Sequence, residues 1–269
     1  MSNKKSKIAV LYVHGVGYKR GEANDGFSSE LADGIDDYID SFNVDRFIDH
    51  HEFNYSNIID LPVGDGTNPL EMLLDLPAWL VNGPTVEFML SGVIRDLLAE
   101  YAGLVIVGHS LGTIAVIGAL VMLHDQITEE IRVDSQDGTH ARWHNMHVLL
   151  CGSPAGLNLG KVMPGMFESY SQRAATVRPE FKLKLAHFIS DPRDPVVTGW
   201  PLGLSRVGTA IHRLAGYEKL GFRSFETPRP PLEIGKVHDY WDRKFLRGVV
   251  LSSAGDIIAD TNMEKPGNA

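Results

Sequence analysis

The stretch LVIVGHSLGTIAVIGAL, residues 104–120, restricts the fold more than any other part of the chain. An apolar run of strand length leads into Gly108 and Ser110, and Ala, Leu, Met and Ile at helical density fill residues 111–123. A strand that is apolar on both sides is buried on both faces, as in a parallel sheet covered by helices. Glycine on either side of the serine permits a sharp strand-to-helix turn without Cβ clashes. The spacing Gly-x-Ser-x-Gly alone decides little in a chain with 27 glycines among 269 residues. The flanking strand and helix carry the reading. In such a turn the Ser110 hydroxyl projects above the strand ends, and the Leu111 amide opens a helix from which it can donate to an oxyanion. The bland alternative is a Ser-Gly turn in an α/β protein without chemistry.

Strand-like runs recur at 8–13, 51–55, 104–107, 147–151 and 185–189, with helical stretches between them. That alternation predicts an α/β fold with a mostly parallel sheet and helices on both faces. The length and the 43% hydrophobic content suit a single domain over 1–269, closing in a frayed tail at about 260–269. Two connections, 61–95 and 195–237, are longer than a crossover needs and read as apolar, cap-like insertions. In the first, Pro77, Asn82, Gly83 and Pro84 interrupt the apolar pattern, which predicts several short helices in place of one long one. Leu73, Leu74, Trp79 and Leu80 then either roof an acyl pocket or pack on the sheet. In the second, Trp200, Leu202 and Leu204 offer pocket wall.

A net charge of −9 argues against nucleic acid or an anionic membrane as partner. No apolar run reaches membrane-spanning length, and the basic opening MSNKKSKIAVLYVHG is too short in its apolar part for a signal peptide. A cytoplasmic location is expected. Cys151, the single cysteine, reads as a buried small hydrophobe. His140, His144 and His147 could chelate a metal, yet no carboxylate or cysteine completes a pattern, so a solvated loop and strand start is the simpler reading. GDGTNP at 64–69 is turn chemistry without the Lys-Ser/Thr ending of a phosphate loop.

An acyl-transfer serine needs a base, an acid to orient that base, and donors for the oxyanion. In a sheet with a nucleophile elbow the acid follows a later strand and the histidine follows the acid. Asp191 and Asp194 follow the run at 185–189, and beyond them the chain has only His212 and His238. His212 lies in a helix-like stretch, whereas His238 stands on a loop ahead of an amphipathic one, which favours His238. Spacing favours Asp194, with Asp191 as a turn carboxylate ahead of Pro192. In YVHGVGYKRG, Gly15 and Gly17 let the backbone approach the serine, the Val16 amide is a second oxyanion donor, and His14 braces the loop.

Taken together and in this order, HGVG, GHSLG, CGSP, DPVV and HDYW resemble the serine esterase and lipase-like branch of the α/β-hydrolase superfamily, over about residues 7–250. The resemblance implies the α/β-hydrolase fold, a triad of Ser110, Asp194 and His238, an oxyanion hole of the Val16 and Leu111 amides, a structural Ser153, and neither metal nor organic cofactor. It implies hydrolysis of carboxylic esters through an acyl-enzyme on Ser110, and the apolar cap-like insertions favour a lipid-like or acyl-chain ester as the small-molecule substrate. Two other functions use the same residues differently: a hydrolase-fold protein that binds without turnover, and an acyltransferase that passes the acyl group to an acceptor other than water. So little chain precedes the first strand that the antiparallel edge hairpin of larger members is expected to be absent.

Overall fold

The computed structural model of the chain describes residues 4–15, 28–42, 47–55, 69–132, 142–154, 166–191, 193–198, 216–227, 240–241 and 244–261. Its strands are β1 (Ile8–Val13), β2 (Ile48–Phe53), β3 (Gly103–His109), β4 (Met146–Cys151), β5 (Leu185–Ser190) and β6 (Phe222–Glu226). They form one six-stranded sheet in the order β2-β1-β3-β4-β5-β6. Every described pairing is parallel, β1 in register with β2 (Ile8↔Ile48) and with β3 (Ile8↔Gly103).

The central strands read as nearly continuous apolar runs because both faces are covered. Along β1, Ala9, Leu11 and Val13 enter one hydrophobic cluster while Ile8, Val10 and Tyr12 enter the other. The first cluster is closed by α2 (Pro69–Glu100), α3 (Gly112–Arg132) and α4 (Met166–Ala175), the second by α1 (Ser29–Asp40) and α6 (Lys244–Asp260), with a short α5 at Pro195–Thr198. This is the α/β architecture that the alternation of strands and helices predicts. Cys151 is buried in the second cluster. No helix among the described residues is long and apolar enough to cross a membrane.

The chain steps from β1 outward to β2, then returns to place β3 on the other side of β1. The helix after β1, α1, covers one face and the helix after β3, α3, covers the other, so the switch point of the sheet lies at the carboxyl ends of these two strands. The turn carrying Ser110 lies at that point.

Three expectations need correction. The second strand begins at Ile48 and ends at Phe53, not over 51–55. It is an edge strand, so Asp49 and His50 are tolerated within it, where Lys7 Nζ lies 2.6 Å from Asp49 and the Tyr12 hydroxyl 2.8 Å from His50 Nδ1. The connection 195–237 contains a sixth strand, β6, which only Phe222 anchors by burial, leaving no alternation to read. And α2 is one 32-residue helix that runs through Pro77 and Pro84, not several short ones. Two interior prolines cost roughly 3 kcal/mol each. Against that, Trp79, Val86, Leu90, Ile94, Leu97 and Leu98 are buried along the helix, each contributing about 1.5–3 kcal/mol, so tertiary burial outweighs the local breakers.

Trp79 is part of the core beneath the sheet edge, its ring 5.5 Å from that of Tyr55 in an edge-to-face contact. The side chains of Leu73, Leu74 and Leu80, and Trp200, Leu202 and Leu204, lie outside the described residues. Replacing Trp79 with alanine should leave a cavity and destabilise the fold by about 3–5 kcal/mol. Urea denaturation followed by circular dichroism checks this; a loss below 1 kcal/mol would show that the indole is not a core group.

Candidate active site

Ser110 is the one non-glycine residue with positive φ among the described residues, at 51°. That left-handed conformation costs a residue with a Cβ about 1–2 kcal/mol, and the surrounding bonds hold it. The Ser110 N–H donates to the Cys151 carbonyl at the end of β4 (2.9 Å), and its own carbonyl accepts from the Thr113 N–H (3.0 Å) and the Thr113 hydroxyl (2.6 Å). Glycine at 112 is a packing requirement, since a Cβ there would lie 2.2 Å from the His14 carbonyl oxygen and 2.6 Å from that of Val13. The same holds at Gly15, where a Cβ would stand 2.5 Å from the Ser110 Cβ. The loop after β1 and the serine turn thus meet backbone to backbone. Ser110 itself is 1% exposed.

His14, in the loop after β1, braces that loop. Its Nδ1 bonds to the Gly15 carbonyl, its Nε2 accepts from the Tyr55 N–H (3.0 Å), and its ring stacks on Tyr55 at 4.0 Å and 17°. Both nitrogens are engaged in the neutral tautomer. Burial lowers its pKa from 6.5 to about 4, with the bonds to Gly15 and Asn54 opposing the shift.

At the end of β5 the two aspartates are buried and play different parts. Asp191 is held by Arg193: its Oδ1 accepts from the Arg193 backbone N–H and Nε (2.9 Å each), and its Oδ2 lies 2.7 Å from Nη2. Asp194 Oδ1 accepts from the Val196 N–H (2.9 Å), and its Oδ2 accepts from the hydroxyl of Tyr240 (2.9 Å). The same hydroxyl accepts from the Asp191 N–H at 2.8 Å. Tyr240 is a residue that sequence reasoning missed, although it stands inside the HDYW motif. Its ring lies 5.8 Å from that of His109, the neighbour of Ser110, and the ring of Trp241 lies 5.5 Å from His109. The described end of the HDYW motif therefore packs on the serine turn and bonds to Asp194.

His238, the alternative His212, Val16 and His140 lie outside the described residues. Leu111 is buried at the start of α3, and among the described residues no acceptor meets its N–H. Ser153 is buried below the turn, 2.7 Å from the Thr113 hydroxyl. His144 is in a single turn ahead of β4, and His147 is a buried β4 residue, not a solvated one. Among the described residues no group of three or more His, Cys, Asp or Glu is arranged to hold a metal.

No family model matches this sequence and no curated protein matches it. Solved structures do. One is the lin2722 gene product of Listeria innocua, 12% identical, covering 91% of this chain and 92% of that one with a TM-score of 0.47. Another comes from work on LipS and LipT, two metagenome-derived lipolytic enzymes, 13% identical, covering 94% and 95% with a TM-score of 0.40. What the chain itself shows is an α/β fold with an all-parallel six-stranded sheet and a serine turn between β3 and α3.

Two measurements test this arrangement. Because His14 is buried neutral, the unfolded chain binds a proton below pH 6.5 that the folded chain refuses until about pH 4. Stability should be complete above pH 6.5 and fall by roughly 3 kcal/mol as pH drops through that window. In a His14→Gln protein this part of the pH dependence should vanish, as urea midpoints between pH 4 and 7 would reveal. Separately, Tyr240→Phe strips a hydrogen bond from the Asp191 N–H and one from the Asp194 carboxylate. The expected loss of stability is about 1–3 kcal/mol, and an unchanged denaturation midpoint would contradict the contacts.

Proposed function

We propose that this chain hydrolyses carboxylic esters through an acyl-enzyme on Ser110. The observation that carries the reading is the left-handed Ser110 between a parallel strand and a helix, at the switch point of the sheet. Strain at a non-glycine residue persists only where surrounding structure enforces it, and such strain concentrates at reactive groups. A turn with no chemical role is served at lower cost by glycine.

In the proposed reaction His238 takes the Ser110 proton as Oγ attacks the acyl carbon. The resulting oxyanion accepts from the Val16 and Leu111 amides. His238 returns the proton to the leaving alcohol, and water, deprotonated in the same way, releases the acid and restores Ser110. Asp194 orients the imidazole and stabilises its charged form. Two features support Asp194 over Asp191: Asp191 is committed to Arg193, while Asp194 is bonded to Tyr240. His238 precedes Tyr240 by two residues in the sequence, which supports pairing it with the carboxylate that Tyr240 touches. His14 is unsuited to the base role because both its nitrogens are occupied and burial disfavours the imidazolium that it would become on taking a proton.

A small fluorophosphonate should label the protein at Ser110, and Ser110→Ala should lose both the label and the hydrolysis of p-nitrophenyl esters. Labelling elsewhere in active protein would reject the nucleophile. Asp194→Asn should lower kcat by about 10³- to 10⁴-fold, whereas Asp191→Asn should act mainly on stability. The reverse order would move the acid to Asp191. Rates for esters of increasing acyl length identify the chain that the site accepts.

A further inference from the structure

Beneath the serine turn lies a pair of buried hydroxyls that the proposed reaction does not use. Thr113 is fully buried and Ser153 is 7% exposed. The Thr113 Oγ1 lies 2.6 Å from the Ser110 carbonyl oxygen and 2.7 Å from the Ser153 Oγ. A hydroxyl has one proton to donate, and a carbonyl oxygen can only accept. Both bonds form together only when Thr113 donates to Ser110 and Ser153 donates to Thr113. The order Ser153→Thr113→Ser110 is thereby fixed by proton count.

The peptide unit that this relay holds is the one joining Ser110 to Leu111. Its carbonyl is gripped twice, by the Thr113 hydroxyl and by the Thr113 N–H at 3.0 Å. In a planar trans peptide the N–H points opposite to the carbonyl. Pinning the Ser110 oxygen down toward Thr113 therefore aims the Leu111 N–H up and away from the helix, and among the described residues no acceptor meets it. Ser110 needs such a pin more than an ordinary residue does, since at φ 51° its peptide sits outside the range that a Cβ favours. Ser153 ties the pin to the end of β4, where the Cys151 carbonyl already accepts from the Ser110 N–H at 2.9 Å.

We propose that Thr113 and Ser153 are positioning residues for the oxyanion donor: their hydroxyl relay fixes the Ser110–Leu111 peptide so that the Leu111 N–H faces the developing negative charge. This rests on the acyl-enzyme reading of Ser110. The relay touches no substrate and acts only on where a backbone donor points. Its loss weakens binding of the tetrahedral state while leaving ground-state binding of the ester unchanged.

The test compares Thr113→Val, which keeps shape and removes the hydroxyl, with Thr113→Ser, which restores it, and Ser153→Ala, which removes the upstream donor. For each, kcat, KM and the inhibition constant of a tetrahedral-forming trifluoromethyl ketone are measured beside a melting curve. Losing an oxyanion donor outright costs about 10²- to 10³-fold. Thr113→Val, which misaims the donor without deleting it, should lower kcat by about 10- to 100-fold with KM unchanged. Ketone affinity should fall by the same factor as kcat/KM. Thr113→Ser should recover most of the activity, and Ser153→Ala should show a smaller loss of the same pattern. Should Thr113→Val fail to fold, Ser153→Ala is scored by the same criteria. A kcat/KM within twofold of the parent, a loss confined to KM, or a ketone affinity that does not follow kcat/KM would overturn the positioning role. A parent protein that is not labelled at Ser110 would instead overturn the acyl-enzyme reading, and the relay's role with it.

Discussion

The loop after β1 and the turn after β3 touch through their backbones, and no side chain fits between them. A Cβ at Gly15 would stand 2.5 Å from that of Ser110, and one at Gly112 would stand 2.2 Å from the His14 carbonyl oxygen. Such distances leave no room for relaxation, because the atoms in the way are backbone or belong to the serine. The contact exists because β1 and β3 are neighbours in the sheet although β2 lies between them in sequence. Parallel pairing ends both strands at the same edge, and the reversal of strand order parts their connections there. Everything attributed to the site follows from that meeting of two chain segments.

Holding a serine in a left-handed conformation at this contact takes a set of bonds drawn from several elements. The end of β4 supplies an acceptor for its N–H, the first turn of α3 supplies two donors for its carbonyl, and the loop from β1 presses on its Cβ. The loop is itself anchored by His14, stacked on Tyr55, which in turn meets Trp79 of α2. The Ser110 N–H and carbonyl and both ring nitrogens of His14 have partners, which is what makes their burial tolerable. On the other flank, Tyr240 fastens the segment ahead of α6 to the end of β5 by bonding to both aspartates. A single hydroxyl thus couples the place where the candidate acid leaves the sheet to the place where the candidate histidine precedes α6.

Central strands were legible because burial on both faces writes itself into composition: β1 and β3 are rich in Val, Ile, Leu and Ala, and β4 and β5 are mostly apolar runs of strand length. Edge strands were not. In β2 the residues Asp49, His50, His51 and Glu52 face solvent or neighbouring polar groups, and in β6 all but Phe222 are exposed, so neither bears a hydrophobic period. Proline misled the reading of α2 for a related reason. Helix propensity is a local quantity, whereas the burial of Trp79, Val86, Leu90 and Ile94 against the sheet and α3 is not, and the latter is the larger.

By itself the sequence determined the α/β class, the strand-to-helix turn at Ser110 and the small set of acids and histidines that could serve it, because these depend on local pattern and on chain order. Tertiary structure alone decided what each of those groups touches. That Asp194 faces Tyr240, that the His14 brace closes on Tyr55, and that Ser153 sits beneath the serine turn on Thr113 are outcomes of pairing between residues 40 to 46 positions apart. No periodicity encodes such contacts. They arise only when the parallel sheet brings the ends of β1, β3, β4 and β5 to one edge, where a side chain's role is set by its neighbours in space.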